Sequence, residues 1–366
     1  MLMQNITDIP KNILIIQQRQ LGDVVVTSPV FEAVKKAFPH AKLTLLTEKK
    51  CVPLAEKDIH LDEIIPFPKN ENIFSQIKFY WNLHRKNFDV VADMQQLPRC
   101  QMAVLCSGAK YRLSFAPRHA YKKMLYTHCF VPENTEHDYT SYSKIRILSP
   151  LGIEPTEQKP RLYLTEEERR KAREILASLH IEENTPFITL DATHKHPKRR
   201  WKYYGELVRR ILADYPQFVF FVIRAPNEDE QVRHLLDIDP ERVRMPANPL
   251  SLRETMACMS FASFHIGNTS APEHMALALN IPALVILSET ASFWHFAPKN
   301  PLKGTAKQME VRLSEEEYQW YLKNLREFQK GNKPDFVPEE YPLINCISVE
   351  KAMEKFKFLL SGPFYE

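Results

Sequence analysis

The tetrapeptide Gln20-Leu-Gly-Asp23 sets a carboxylate one residue after a glycine, behind the apolar run Asn12–Ile16. Ligands of open α/β sheets bind at the carboxyl ends of strands, so Asp23 is a candidate general base. The same residues also fit a helix-entry turn in which Asp23 only satisfies backbone N–H groups. Gly22 permits close backbone approach or a positive φ, but the turn is no G-x-G-x-x-G dinucleotide fingerprint. A second stretch, Asp191-Ala-Thr-His-Lys-His-Pro-Lys-Arg-Arg-Trp201, ends another apolar run. From Ala192 to Gly205 it has no acid, while Lys195, Lys198, Arg199, Arg200 and Lys202 accumulate. Cations at a strand end suit phosphate neutralisation; a solvated charged face is the alternative. His194 and His196 lack the cysteine or carboxylate cluster that would complete a site, so no metal is expected.

The third stretch, His265-Ile-Gly-Asn-Thr-Ser-Ala-Pro-Glu-His274, lies between an apolar run and a helix opened by Pro272. Exposed N–H groups at that helix start, beside the Thr269 and Ser270 hydroxyls, form an anion site; an ordinary capped turn is the other reading. Ser270 and His274 do not make a hydrolase pair, because no G-x-S-x-G elbow is present. A broader fourth feature runs from Met94 to Pro132 without one Asp or Glu. Arg99, Lys110, Arg112, Arg118, Lys122 and Lys123 alternate there with Tyr111, Phe115, Tyr121 and Tyr126. This fits a site for an acidic acceptor, a membrane-facing surface, an RNA surface or scattered solvated charges.

The elements that position these stretches follow from periodicity. Asn12–Ile16 reads as a buried parallel strand, followed by a polar turn Gln17–Asp23 and a helix with Ser28 as cap and Pro29 as its first residue. Val30, Ala33, Val34, Ala37 and Phe38 share one face, and Lys42–Leu46 begins the next strand, completing a βαβ unit. Glu63–Phe67 and Phe88–Asp93 read as further strands. Prolines cluster at 150–160, and Thr165-Glu-Glu-Glu168 then opens a helix with a capping box. A second series follows: strands at Pro186–Asp191, Gln217–Ile223, Ala262–Ile266 and Pro282–Leu287, and helices built on Tyr204–Leu212 and Pro272–Leu279. Residues 299–341 read as a surface excursion with a helix near Ser314–Gln329, and a last helix is capped by Ser348.

These 366 residues therefore predict an α/β chain of two doubly wound, Rossmann-like domains facing across a cleft. Hydrophobic residues at 44% and charged residues at 26% exclude global disorder, and only 8 glycines, against about 26 at average usage, exclude a glycine-rich architecture. Six cysteines without C-x-x-C pairs fit a reduced, cytoplasmic setting, and no run is long enough to span a membrane. The net charge of +4 is uneven. Residues 1–160 hold 21 Lys+Arg against 16 Asp+Glu, and residues 161–366 hold 28 against 29. The first half thus faces something anionic, and the excess is too small to argue for nucleic acid.

The chain resembles the glycosyltransferase family 9 heptosyltransferases, which move heptose from ADP-heptose to the inner core of lipopolysaccharide. Ile13–Ile16 through Leu21-Gly-Asp-Val-Val-Val-Thr-Ser-Pro29 is similar to the family's opening. The stretch ending at Trp201 is similar to its phosphate-binding loop. Gly267-Asn-Thr-Ser-Ala-Pro-Glu-His-Met-Ala-Leu-Ala-Leu279 is similar to its Asp-Ser-Gly-Pro-x-His signature.

The resemblance implies a GT-B fold with an acceptor-binding domain over 1–160, a nucleotide-sugar-binding domain over 161–345, and a final helix over 346–366 packing back on the first. It implies an inverting, metal-independent transfer needing no cofactor, with Asp23 as base. Thr193, Arg199 (or Lys198), Arg200, Ser270, Ala271 and His274 would meet the donor phosphates and Glu228 the ribose. Gly22, Thr27, Arg99, Lys110 and Arg112 would serve the anionic lipopolysaccharide acceptor, at the cytoplasmic face of the inner membrane. Two positions depart from the signature, Thr269 for Asp and Ala271 for Gly. They leave open a different donor, such as a nucleotide hexose, and a member that binds without turnover.

Overall fold

The computed structural model describes residues 6–68, 72–131, 140–155, 159–287, 304–331 and 342–364. The chain divides into two compact units, Met1–Tyr163 and Leu164–Glu366.

In the first unit six strands, β1 (Asn12–Ile16), β2 (Lys42–Glu48), β3 (Glu63–Phe67), β4 (Val90–Asp93), β5 (Tyr111–Phe115) and β6 (His128–Phe130), form one parallel sheet in the order β3-β2-β1-β4-β5-β6. Ile13 to Ile16 are fully buried, as a central strand covered on both faces requires. One face carries Leu14, Ile16, Val91, Cys100, Val104 and Leu83 in a single cluster. The helices Ile73–His84 and Pro98–Cys106 and the 3-10 turn Ala120–Leu125 cover that cluster.

The second unit repeats the plan. β7 (Phe187–Asp191), β8 (Val219–Val222), β9 (Val243–Arg244), β10 (Phe264–Asn268), β11 (Ala283–Ile286) and β12 (Gln308–Val311) run parallel in the order β12-β11-β10-β7-β8-β9. Both sheets thus have the Rossmann order, and the winding reverses between β1 and β4 in one and between β7 and β10 in the other. The helix Tyr204–Asp214 buries Tyr204, Leu207, Val208, Ile211 and Leu212, the stripe its sequence spells out. Of the excursion at 299–341, residues 304–331 are described; they contribute β12 and the helix Glu315–Gln329, and the remainder lies outside the described residues.

The final helix packs within the second unit. Val349–Ser361 is capped by Ser348, whose hydroxyl accepts from the Lys351 N–H. Its apolar face is spent within the second unit: Val349, Ala352, Met353, Phe356 and Leu359 join the cluster holding Phe218, Phe264 and Leu284.

Candidate active site

Asp23 lies just past the carboxyl end of β1. The expected polar turn contains a short helix, Leu21–Val25, with Asp23 in its first turn. The Asp23 Oδ2 accepts from the Gln20 N–H at 2.8 Å and from Gln95 Nε2 at 3.2 Å. Among the described residues, no hydrogen bond goes to its Oδ1. Gln95 follows β4, across the point where the winding reverses, and its Oε1 accepts from the Gln18 and Arg19 N–H groups at 3.1 and 2.9 Å. The side chain of Gln95 therefore locks the loop after β1 to the loop after β4. Asp93, the buried last residue of β4, accepts from the N–H groups of Gln95 and Gln96 at 2.9 Å and from the Tyr126 hydroxyl at 2.8 Å. Burial pushes its carboxyl above the ordinary range.

Beneath the Asp23 backbone sits a buried cation. Lys144, on the helix Thr140–Arg146, donates to the Asp23 carbonyl at 3.1 Å, to Thr27 Oγ1 at 2.8 Å and to Gln17 Oε1. Burial pulls its ammonium down to about 8, while the Asp23 charge pulls upward. Thr27 in turn donates to the Asp23 carbonyl at 2.7 Å.

The predicted acceptor residues separate on this frame. Arg99 opens the helix after β4 and reaches over the ends of β2 and β3: it lies 3.8 Å from Glu48 and 5.3 Å from the Phe67 ring. Lys110 and Arg112 are at the other end of the sheet. Lys110 pairs with Asp8 at 2.5 Å before β1 begins. The guanidinium of Arg112 donates to the Ala109 and Leu125 carbonyls at 3.0 and 2.8 Å. Both serve the amino edge of the fold, remote from Asp23. Thr27 and Gly22 are buried: the Thr27 hydroxyl is bonded to the Asp23 backbone, and Gly22 is helical without a positive φ. Arg19, beside the Gln95 lock, is an exposed cation at the correct end that the sequence did not single out.

In the second unit the buried Asp191, last residue of β7, joins two loops. Its Oδ1 accepts from the Thr193 N–H and hydroxyl at 3.2 and 3.0 Å, and its Oδ2 from the Ser270 hydroxyl at 2.5 Å. Desolvation pushes it up to about 6, against the lowering pull of those bonds and with a smaller upward push from Glu228. Asn268 reinforces the junction, donating to the Thr193 carbonyl at 3.0 Å and accepting from the Trp201 N–H at 3.5 Å. Gly267 is needed here because an added Cβ would lie 3.1 Å from Asp191 Cβ and 3.2 Å from its carbonyl oxygen. The indole of the buried Trp201 donates to the Ile347 carbonyl at 2.9 Å.

Around this junction Lys198 and Arg199, in the 3-10 turn Pro197–Arg199, are exposed, and Arg200 is half-buried. Glu228 closes its own turn by accepting from the Ala225 N–H at 3.0 Å, and its charge is felt by both Asp191 and His194. Ser270 stands at the N-cap position of the helix Ala271–Ala278 without a side-chain cap bond; the first turn of this helix holds Pro272, it also carries His274, and Thr269 lies beside it, half-buried. The site therefore offers backbone donors, hydroxyls and cations at one carboxyl edge, a setting for a diphosphate. Among the described residues no group of three or more His, Cys, Asp or Glu gathers as a metal site.

The family model of glycosyltransferase family 9 (heptosyltransferase) matches residues 77–319. The chain belongs to this family. Lipopolysaccharide heptosyltransferase 3 of Escherichia coli K12 is 22% identical over 328 residues, covering 83% of this chain and 91% of that protein. Among solved structures, a family 9 glycosyltransferase of Veillonella parvula superposes with a TM-score of 0.75 at 19% identity, covering 96% of this chain and 97% of that one. The Escherichia coli ADP-heptose lipopolysaccharide heptosyltransferase II gives 0.72 at 17% identity, covering 96% and 98%. These likenesses show the GT-B fold. Within family 9, the signature glycine that is Ala271 here takes the first helical position without a positive φ, so its methyl group costs no backbone strain.

Proposed function

We propose that this family 9 glycosyltransferase moves heptose from ADP-heptose to the inner core of lipopolysaccharide with inversion. The setting of Asp23 carries the reading: a half-buried carboxylate at the first sheet's switch point, held through Oδ2 alone by Gln20 and Gln95. Held this way, Oδ1 is the atom that takes the proton from the acceptor hydroxyl, and the freed oxygen attacks the anomeric carbon from the face opposite the leaving group. The C–O bond to the diphosphate breaks with its electron pair on the departing phosphate oxygen. That charge is met by Lys198, Arg199 and Arg200, by Ser270, and by the N–H groups opening the helix Ala271–Ala278, with Thr193 and His274 beside them. The transfer as proposed calls on no metal and no cofactor. Glu228 is proposed to contact the ribose, and Arg99, with Arg19, the anionic acceptor. The activity is assigned to the cytoplasmic side of the inner membrane, where such an acceptor is displayed.

One observation favours a second reading. Thr269 replaces the signature carboxylate, and a neutral hydroxyl there accommodates a donor such as a nucleotide hexose. Transfer to a core-truncated lipopolysaccharide, measured across ADP- and UDP-sugars, decides between donors. Asp23→Ala is expected to lower turnover by about 10²–10⁴-fold while leaving donor affinity within about twofold. Near-normal turnover in that variant overturns the mechanism, and donor binding without transfer to any acceptor identifies a binding protein instead.

A further inference from the structure

The outer surface of the first unit's helical layer is apolar where solvent-facing helices are normally polar. On Ile73–His84 the inward residues are Leu83, Phe79 and Tyr80, which reach the core cluster. The outward ones are Ile73, Phe74, Ile77 and Trp81, between 57% and 79% exposed. The neighbouring helix Pro98–Cys106 turns Met102 and Leu105 outward, and the next element, the turn Ala120–Leu125, exposes Tyr121 and Met124, the latter at 84%. Three consecutive elements on one side of the sheet thus present large apolar side chains to the outside. Contiguous exposed apolar surface of this kind marks an interaction site.

The charge of the layer selects the partner. Residues 72–88 contain no Asp or Glu, and neither do residues 94–131. The charged side chains standing among the apolar ones are Lys78, Arg85, Arg118, Lys122 and Lys123. Arg85 lies over the Trp81 ring at 4.6 Å, joining an aromatic face to a long cationic stem, a pairing suited to a headgroup boundary. A second copy of the same face would set cation against cation, whereas an anionic plane satisfies both the charge and the apolar side chains. We infer that this layer docks on an anionic lipid bilayer, with Phe74, Trp81 and Met124 entering the boundary between headgroups and acyl chains. The inference deepens the lipopolysaccharide reading and rests on it for the identity of the membrane, but the lipid binding itself is measurable without any transfer.

The test is flotation of the full chain with phosphatidylcholine vesicles prepared with and without phosphatidylglycerol. Binding is expected on the anionic vesicles, weakening with salt, and at least about tenfold weaker in the double variant Phe74→Glu/Trp81→Glu. Both positions are exposed, so an unchanged thermal midpoint verifies the fold of that variant. Trp81→Phe should still float but lose the fluorescence quenching that brominated acyl chains impose on the parent protein. Failure to float on anionic vesicles, or equal flotation by the double variant, overturns the inference. So does lipid-free self-association that the double variant abolishes, since a second copy would then own the face. Transfer to a delipidated acceptor should survive the double substitution; its absence in the parent protein would count against the transferase reading and leave the lipid result standing.

Discussion

Asp191→Asn isolates the energetic cost of the junction between the loops that follow β7 and β10. The Asp191 carboxyl is fully buried, and desolvation raises it from an ordinary 3.8 to about 6. At 1.36 kcal/mol per pKa unit, keeping it ionised at neutral pH costs ~3 kcal/mol of stability. The sign follows from proton binding: the folded protein holds this proton up to about pH 6, while the unfolded chain releases it near 4. Its stabilising contribution is therefore complete below about pH 4 and is lost as the pH rises through 6. Asparagine preserves the geometry, since its Oδ1 can accept both Thr193 bonds and its Nδ2 can donate to the Ser270 hydroxyl, and it cannot ionise. Urea unfolding of both proteins between about pH 4.5 and 7.5 should show the variant gaining ~2 kcal/mol on the parent across that range, the remainder of the ~3 kcal/mol having accrued below about pH 4.5. Taking the difference between the two removes every other titrating group. A difference that stays constant with pH would refute the reasoning, because it would mean the ionised carboxylate is not penalised at this site.

Three further substitutions test the frame around the two sites. Gly267→Ala forces a Cβ to within 3.0–3.2 Å of His265 Nε2 and Asp191, so the thermal midpoint should fall by the equivalent of about 1–3 kcal/mol; an unchanged midpoint would show that β7 and β10 can separate freely. Lys144→Met removes the common donor to the Asp23 carbonyl, Thr27 and Gln17. Turnover should drop about tenfold or more with donor affinity intact, as expected if Lys144 positions the loop that carries Asp23, the proposed base. In the parent protein, stability should rise as the pH passes from about 8 toward 10.5, because the folded ammonium releases its proton before the unfolded one does; that rise should be absent from the methionine variant. Trp201→Phe deletes the N–H donated to Ile347, and hydrogen exchange at residues 343–347 should accelerate at a cost of about 1 kcal/mol, with protection unchanged elsewhere.

Much of this molecule was legible where burial imposes a period. The helix stripe from Tyr204 to Leu212 and the runs Asn12–Ile16 and Glu63–Phe67 occupy the places their patterns dictate. The helix Ile73–His84 escaped because its outward face is as apolar as its inward one, so no polar side marks its periodicity. Leu21–Val25 escaped because five residues are too few to display a period, and Gln20 is not among the usual capping residues. Charge counted along the chain could not tell one end of a strand from the other, and so Lys110 and Arg112 were grouped with Arg99. Gln95 and Lys144, which hold Asp23 in place, lie 72 and 121 residues from it in sequence. No local pattern links such residues; only the strand order does.

Trp201 has a consequence for recombining this enzyme with its relatives. Its main-chain N–H reaches Asn268 and its indole reaches Ile347, while the neighbouring Lys202 N–H reaches Asn345 at 3.0 Å. The C-terminal segment is thereby wired to the basic loop after β7, and its helix fills the same core. A chimaera meant to exchange donor preference should accordingly be joined near Tyr163–Leu164 and carry the whole of Leu164–Glu366 as one cassette. A junction placed before the last helix would pair a foreign tail with a loop built for another, and donor handling would change even where every residue proposed to meet the phosphates had been kept.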